Sequence, residues 1–82
     1  MVNPVRKARE AKGLTMKQFA VVLGAPYSAV NGVETGLLTQ LPATWEKGMT
    51  RLGMDYMAMQ RAYMEWRSRK AEAILEGMKH GD

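Results

Sequence analysis

Residues 14–36 read LTMKQFAVVLGAPYSAVNGVETG, and this stretch decides the fold. Thr15 and Gln18 have the spacing of a capping box, in which the Thr hydroxyl accepts the backbone N–H of Gln18 and the Gln side chain reaches back. Gly24 is a natural left-handed residue at a helix end, and Pro26 can open the next helix almost at once. The stretch therefore predicts two short helices joined by a tight turn.

The residues on either side predict three more helices. Caps, prolines and glycines mark their ends, and no alternating apolar run suggests a strand. They cover residues 4–12 behind the cap Asn3, residues 45–52 behind the cap Thr44, and residues 56–79 behind the cap Asp55. We therefore predict an all-α fold of five helices. Residues 1–54 form a helix-turn-helix domain, with the helix-turn-helix itself at 15–35, and residues 55–82 form an extended amphipathic C-terminal helix.

Composition narrows the function classes. The 82 residues include no Cys and one His, His80, so disulfides, thiol nucleophiles and the usual zinc spacings are excluded. No Gly-rich loop follows a strand, and we expect neither an enzyme nor a cofactor. Because no apolar leader or membrane-length stretch is present, we expect a cytoplasmic protein without a membrane partner.

The charge favours an anionic partner. The chain has a net charge of +4 and a pI near 9.7. Residues 1–36 hold five basic and two acidic side chains, which is +3, whereas residues 55–82 hold five of each sign and are neutral. A basic excess in one segment is a feature of nucleic-acid-binding domains, although a solvated basic face has the same composition.

One protein family shares the pattern of residues 9–36. An apolar residue followed by a small one, Phe19-Ala20, matches the first helix, and Glu34-Thr35-Gly36 looks like the Glu-Asn-Gly that closes the second. The stretch resembles the helix-turn-helix of the lambda-repressor-like group, also called the Cro/C1 or XRE family of transcriptional regulators. The remaining core positions of that pattern would be filled by Leu23, Ala25, Val30 and Val33.

This resemblance implies a sequence-specific regulator of double-stranded DNA, most often a homodimeric repressor. Helix 26–34 would enter the major groove of an inverted-repeat operator, where Tyr27, Ser28 and Asn31 would face base edges. It also implies a structural pair between Arg9 and Glu34. The phosphate contacts that it implies are Arg6, Lys7, Lys17 and Gln18.

Three departures from the family pattern leave an alternative open. Met16 replaces a usual phosphate-binding Gln, and Gly32 occupies a position that commonly reads a base. The loop after the second helix has no Lys or Arg. Its Leu37, Leu38 and Leu41 are either core or dimer contacts, or they bind another protein. In the alternative, the helix-turn-helix is a scaffold for a regulatory protein partner, as in an antiactivator or an antitoxin.

The last helix is predicted to dimerise the protein. On a helical wheel, residues 56–79 divide into one apolar half and one charged half. We expect the early residues Tyr56, Met59, Tyr63 and Trp66 to pack on the domain. We expect the late residues Ala71, Ile74, Leu75 and Met78 to contact the twin subunit. Arg67 and Lys70 fall within the apolar half, which argues against a long coiled coil.

Overall fold

A computed structural model of the chain describes residues 2–80, with side chains through Met78. The described residues contain helices and no strand, so the all-α prediction with five α-helices is confirmed. A single 3-10 turn, Ala43–Trp45, precedes the fourth helix. The α-helices are α1 Pro4–Ala11, α2 Met16–Leu23, α3 Tyr27–Glu34, α4 Glu46–Arg51 and α5 Tyr56–His80.

Side-chain caps begin three of the helices as the sequence predicts. The Asn3 Oδ1 accepts two backbone N–H groups in the first turn of α1. The capping box of α2 is complete, since the Gln18 N–H donates to Thr15 Oγ1 at 3.1 Å and the Thr15 N–H donates to Gln18 Oε1 at 2.9 Å. Asp55 caps α5 through its own carboxylate. These caps satisfy N–H groups that have no partner inside the helix.

The turn between α2 and α3 depends on Gly24. Its φ is +64°, a left-handed conformation in which an L side chain would be strained. Two hydrogen bonds close the turn, from the Ala25 N–H to the Ala20 carbonyl at 3.0 Å and from the Gly24 N–H to the Val21 carbonyl at 3.1 Å. This is the Schellman arrangement, which ends α2 and redirects the chain into α3.

The predicted start of the fourth helix is wrong. Thr44 lies inside the 3-10 turn and its side chain caps nothing, and α4 begins only at Glu46. Pro42 explains the difference, because the Trp45 N–H donates to the Pro42 carbonyl at 3.0 Å and so tightens the chain into a 3-10 turn. Thr44 therefore adopts a helical rather than an extended conformation, and an N-cap residue needs the latter.

One hydrophobic core holds the five helices together. The ring of Phe19 meets the ring of Trp45 edge to face with centroids 6.0 Å apart, an arrangement that aromatic pairs prefer. α2 packs against both α3 and α4, and α1 packs against α3 and α5. The fully buried side chains are Val5, Phe19, Val30, Val33, Leu41, Trp45, Met49 and Tyr63.

α5 has two parts with different surroundings. Tyr63 is fully buried and Trp66 nearly so, while Tyr56 and Met59 pack partly buried against the core, which confirms the predicted packing of the early residues. From residue 68 to residue 78 every side chain is exposed. The Cα trace measures 47 × 22 × 21 Å, so the second part of the helix extends well past the core. No helix in residues 2–80 is long and apolar enough to cross a membrane.

Candidate nucleic-acid interface

α3 has one buried face and one exposed polar face. Val30 and Val33 are fully buried, whereas Tyr27 is 49% exposed and Ser28 and Asn31 also lie on the surface. A helix places residues three or four apart on the same side, which brings Tyr27 and Asn31 together with Ser28 beside them. The three residues predicted to read bases are therefore grouped on one outer face.

Thr35 continues this face beyond the end of α3. It is exposed, and its hydroxyl donates to the Asn31 carbonyl at 2.8 Å. In the sequence, Thr35 is only the middle residue of the closing tripeptide Glu34-Thr35-Gly36. Its position four residues after Asn31 is the signal that would have added it to the candidates.

The starts of α2 and α3 are joined by Met16 and Tyr27. The Tyr27 hydroxyl lies 3.8 Å from Met16 Sδ, at the reach of a weak hydrogen bond to sulfur. Met16 also packs partly buried against the core. Met16 thus contacts both the core and the first residue of α3.

The predicted pair of Arg9 and Glu34 is confirmed. The guanidinium binds the carboxylate with two hydrogen bonds, from Nε at 2.7 Å and from Nη2 at 3.0 Å, and its Nη1 donates to the Leu14 carbonyl at 2.6 Å. The two side chains are only 10% and 6% exposed. The hydrogen bond to Glu34 raises the pKa of Arg9, outweighing the desolvation that lowers it. This bidentate pair fixes the end of α3 on α1.

Asn3 reinforces the same junction. While its oxygen caps α1, its Nδ2 donates to the Val33 carbonyl at 3.0 Å and to the Glu34 carbonyl at 3.1 Å. The side chain is buried, so one amide satisfies groups at the start of one helix and the end of another. The start of α1 is consequently held next to the C-terminal end of α3.

The four predicted phosphate contacts fall into two groups. Arg6 and Lys7 are exposed on α1, near the C-terminal end of α3, and Arg6 forms a 3.5 Å ion pair with Glu10. Lys17 and Gln18 are exposed at the start of α2, near the N-terminal end of α3. Gln18 commits its Oε1 to the capping box. The two helices that pack against α3 thus both have exposed cationic side chains.

Gly32, which occupies a position that commonly reads a base in the family pattern, does not lie on the exposed face of α3. Gly32 is buried, and a Cβ built on it would lie 3.2 Å from the Leu38 Cγ. The Leu38 N–H donates to the Gly32 carbonyl at 3.1 Å, and the Tyr63 hydroxyl holds the Leu38 carbonyl at 2.7 Å. The loop folds back over this position, and the Leu38 side chain packs closely on the glycine.

The leucine-rich loop divides into core and surface. Leu41 is buried and Leu38 partly so, which assigns both to the core, whereas Leu37 is 76% exposed. The loop has no cation of its own, but α5 places two beside it. The Arg67 Nε donates to the Gly36 carbonyl at 2.9 Å, and the Lys70 Nζ donates to the Thr35 carbonyl at 3.3 Å. These two residues are more than thirty positions away in sequence, so no local pattern could have indicated them.

Comparison with protein families, with curated proteins and with solved structures finds no match to this chain. Within residues 2–80 there is also no group of three or more His, Cys, Asp or Glu side chains that could hold a metal ion.

Proposed function

We propose that this chain is a regulator that binds double-stranded DNA in a sequence-specific manner, as a homodimer, with α3 in the major groove of an inverted repeat. The observation that supports this most strongly is the division of α3. Its inner residues Val30 and Val33 are fully buried, and its outer face consists of Tyr27, Ser28 and Asn31. A short helix with that division, held at a fixed position by its neighbours, matches the shape of the groove.

The outer face has the chemistry that base edges require. The Asn31 side-chain amide can donate an N–H to adenine N7 and accept the adenine N6–H through its oxygen, the pairing that Asn makes in the major groove. Ser28 can donate or accept, and the Tyr27 ring can contact a thymine methyl group. We assign base reading to these three residues.

The surrounding cations would hold the phosphates. Lys17 is exposed on α2 and Arg6 and Lys7 on α1, the two helices that pack beside α3, and the Lys70 Nζ donates to the Thr35 carbonyl just after α3. Contacts of this kind set the orientation on the duplex without reading its sequence. Binding of a dimer to the operator would repress transcription by excluding the polymerase.

The test is a gel-shift series with duplexes tiled across the DNA upstream of the protein's own reading frame, at two salt concentrations. We expect one duplex to bind more tightly than a random duplex, and added salt to weaken both. Asn31→Ala should weaken binding to that duplex by about 1–3 kcal/mol, that is by roughly 5- to 150-fold, and leave the melting temperature unchanged.

Thr50→Ala is the matched control, because Thr50 is an exposed polar residue of α4 and belongs neither to α3 nor to the predicted phosphate contacts. It should bind as the wild type does. Binding without preference over the random duplex would overturn the proposal. Unaltered affinity of Asn31→Ala for the preferred duplex would remove Asn31 from the interface.

A second function, binding of a regulatory protein, is favoured by the surface beside the loop. Leu37 is 76% exposed at the edge of a shallow groove between the end of α3 and α5, where Ala71 and Ile74 also lie. A tagged wild-type chain and a Leu37→Glu variant, purified from the native host, distinguish this function. A protein recovered with the wild type and lost with the variant supports it, whereas recovery of the chain only with itself argues against it.

A further inference from the structure

An exposed apolar stripe runs along one flank of α5. Its members recur every seven residues, and three of them are methionines that are 47–68% exposed. At 3.6 residues per turn this spacing drifts by only about 20° per repeat, so the residues form one line along the helix. The methionine stripe consists of Met57, Met64, Ala71 and Met78, with Leu75 beside it.

Nothing charged interrupts this stripe. Arg67 and Lys70, which the sequence places in the apolar half of the helix, both turn back onto their own domain. Arg67 binds the Gly36 carbonyl, and the Lys70 ammonium lies 5.0 Å from the centre of the Trp66 ring. Neither cation therefore lies on the methionine stripe. The apolar half of the wheel is in fact two faces, one packed on the core and one open.

We infer that a second copy of the chain packs antiparallel along the methionine stripe. In a two-fold register centred between residues 67 and 68, Met57 meets the partner's Met78, and Met64 meets the partner's Ala71. The stripe is then complementary to itself, because each large side chain near the centre faces a small one. Such self-complementarity is what a two-fold interface requires.

Charge supports the same register. Arg61 and Glu72 lie on one flank of the stripe, and neither forms an ion pair within the described residues. Flanks on the same side of two antiparallel helices face each other. The register therefore brings Arg61 near the partner's Glu72, and the two-fold axis repeats this pair.

The projecting end of α5 fits this arrangement. Residues 68–78 leave their own domain with every side chain exposed, and an isolated helix of about that length is marginal in water. Antiparallel pairing lays each projecting end against the start of the partner's α5, where that helix is anchored in its core. This inference rests on the homodimer of the proposed function, but it requires no DNA.

Cysteine cross-linking tests the register, since the chain has no Cys of its own. Ser68 is the residue beside the two-fold axis, so Ser68→Cys should form a disulfide-linked dimer under mild oxidation. Met57→Cys alone should not form a disulfide-linked dimer, because the two copies of residue 57 lie at opposite ends of the helix pair. A mixture of Met57→Cys and Met78→Cys should cross-link as a heterodimer. Self-linkage of Met57→Cys would overturn the antiparallel arrangement, and so would failure of Ser68→Cys to link.

Sedimentation equilibrium provides the second measurement. The wild type should have the mass of a dimer, and Met64→Glu should raise the dissociation constant by at least 100-fold while its helical circular dichroism at neutral pH shows a folded domain. Val21→Glu is the matched control, because Val21 is 80% exposed on α2, away from the stripe, and it should remain dimeric. A monomeric wild type would overturn the inference, as would an unchanged dissociation constant for Met64→Glu.

The two proposals fail in different ways. If the cross-linked Ser68→Cys dimer binds no duplex preferentially, the DNA function is lost and the pairing stands. If the wild type binds its preferred duplex tightly while remaining a monomer in solution and on DNA, the pairing is lost and the DNA function stands.

Discussion

At the residue scale, the position of α3 depends on polar side chains that each bind more than one group. Arg9 binds both carboxylate oxygens of Glu34 and the Leu14 carbonyl. Asn3 binds the start of α1 and the end of α3. Such groups are costly to remove one at a time, because the partner that remains is buried without compensation. The junction of α1 with α3 is therefore specific in geometry as well as stable.

Arg9→Ala should lower the free energy of unfolding by about 3–5 kcal/mol, because it leaves the Glu34 carboxylate buried and unpaired. Urea denaturation followed by circular dichroism measures this. Arg6→Ala is the control, since Arg6 forms an exposed pair with Glu10 and should cost no more than about 0.5 kcal/mol. Equal losses in the two variants would show that the buried pair does not fix α3.

The Tyr63 hydroxyl should make stability depend on pH at alkaline values. Burial raises the pKa of Tyr63 above that of a free tyrosine, and the nearby Arg67 only partly opposes this. The folded state thus keeps the Tyr63 hydroxyl protonated to a higher pH than the unfolded state does. The stabilising contribution is complete below about pH 10, the pKa of unfolded tyrosine, and is lost as the pH rises through the folded pKa.

Tyr63→Phe should therefore weaken the decline of stability above pH 10. At pH 7 it should cost about 1–3 kcal/mol, since the Leu38 carbonyl loses its 2.7 Å donor. Tyr27→Phe is the control at neutral pH, because the Tyr27 hydroxyl meets only the Met16 sulfur and its loss should leave the melting temperature unchanged. An alkaline decline of the same slope in Tyr63→Phe and the wild type would contradict this reasoning.

At the element scale, α4 fits against α2 only because one residue has no side chain. A Cβ on Gly48 would lie 2.7 Å from the Val22 carbonyl oxygen and 2.8 Å from the Leu23 Cα, and both are backbone atoms that cannot rotate away. The two helices would have to separate. Packing of α4 in turn supports the core beneath the exposed face of α3.

Gly48→Ala should destabilise the protein by about 1–3 kcal/mol, even though alanine favours helix formation by about 1 kcal/mol over glycine. Gly77→Ala is the matched control, because Gly77 is also helical but has no atom within 4 Å of its Cβ position. It should stabilise α5 slightly. Thermal melting of both variants measures the difference, and a Gly48→Ala variant as stable as Gly77→Ala would contradict the close approach of the two helices.

At the scale of the whole molecule, α5 connects the two proposed surfaces. Its first part lies in the core, its Arg67 and Lys70 hold the end of α3, and its far part carries the methionine stripe. Pairing with a second copy would therefore set the separation of two α3 helices. Two-fold DNA-binding dimers place such helices one helical turn apart, about 34 Å, or a multiple of it.

Leu75→Glu should separate dimerisation from base reading. The introduced carboxylate lies beside the methionine stripe and outside α3. The variant should therefore bind a single half-site with the affinity of the wild type. The increase in affinity that a second, correctly spaced half-site provides should be at least 10-fold smaller than in the wild type. Gel shifts with half-site and full-site duplexes measure this, and an undiminished gain would show that the dimer forms through another surface.

Local chemistry allowed much of this structure to be predicted. The capping box at Thr15, the left-handed Gly24 and the cap at Asn3 act over a few residues, and the helix ends that they predict agree with the structure to within about a residue, as such signals allow. Thr44 was the exception, because Pro42 tightened the chain ahead of it. The base-facing residues Tyr27, Ser28 and Asn31 were expected from the resemblance to a known helix-turn-helix pattern, and all three are exposed.

The sequence by itself determined the five helices, because their caps, prolines and glycines act between neighbouring residues. The pair of Arg9 with Glu34 and the polar face of α3 were expected from the resemblance to a known helix-turn-helix pattern. Only the tertiary structure decided that Leu38 covers Gly32, and that Arg67 and Lys70 bind the end of α3 and leave the methionine stripe open. Helical periodicity reports which residues share a face. It does not report which of two adjacent faces meets the core, because that depends on contacts between residues far apart in the chain.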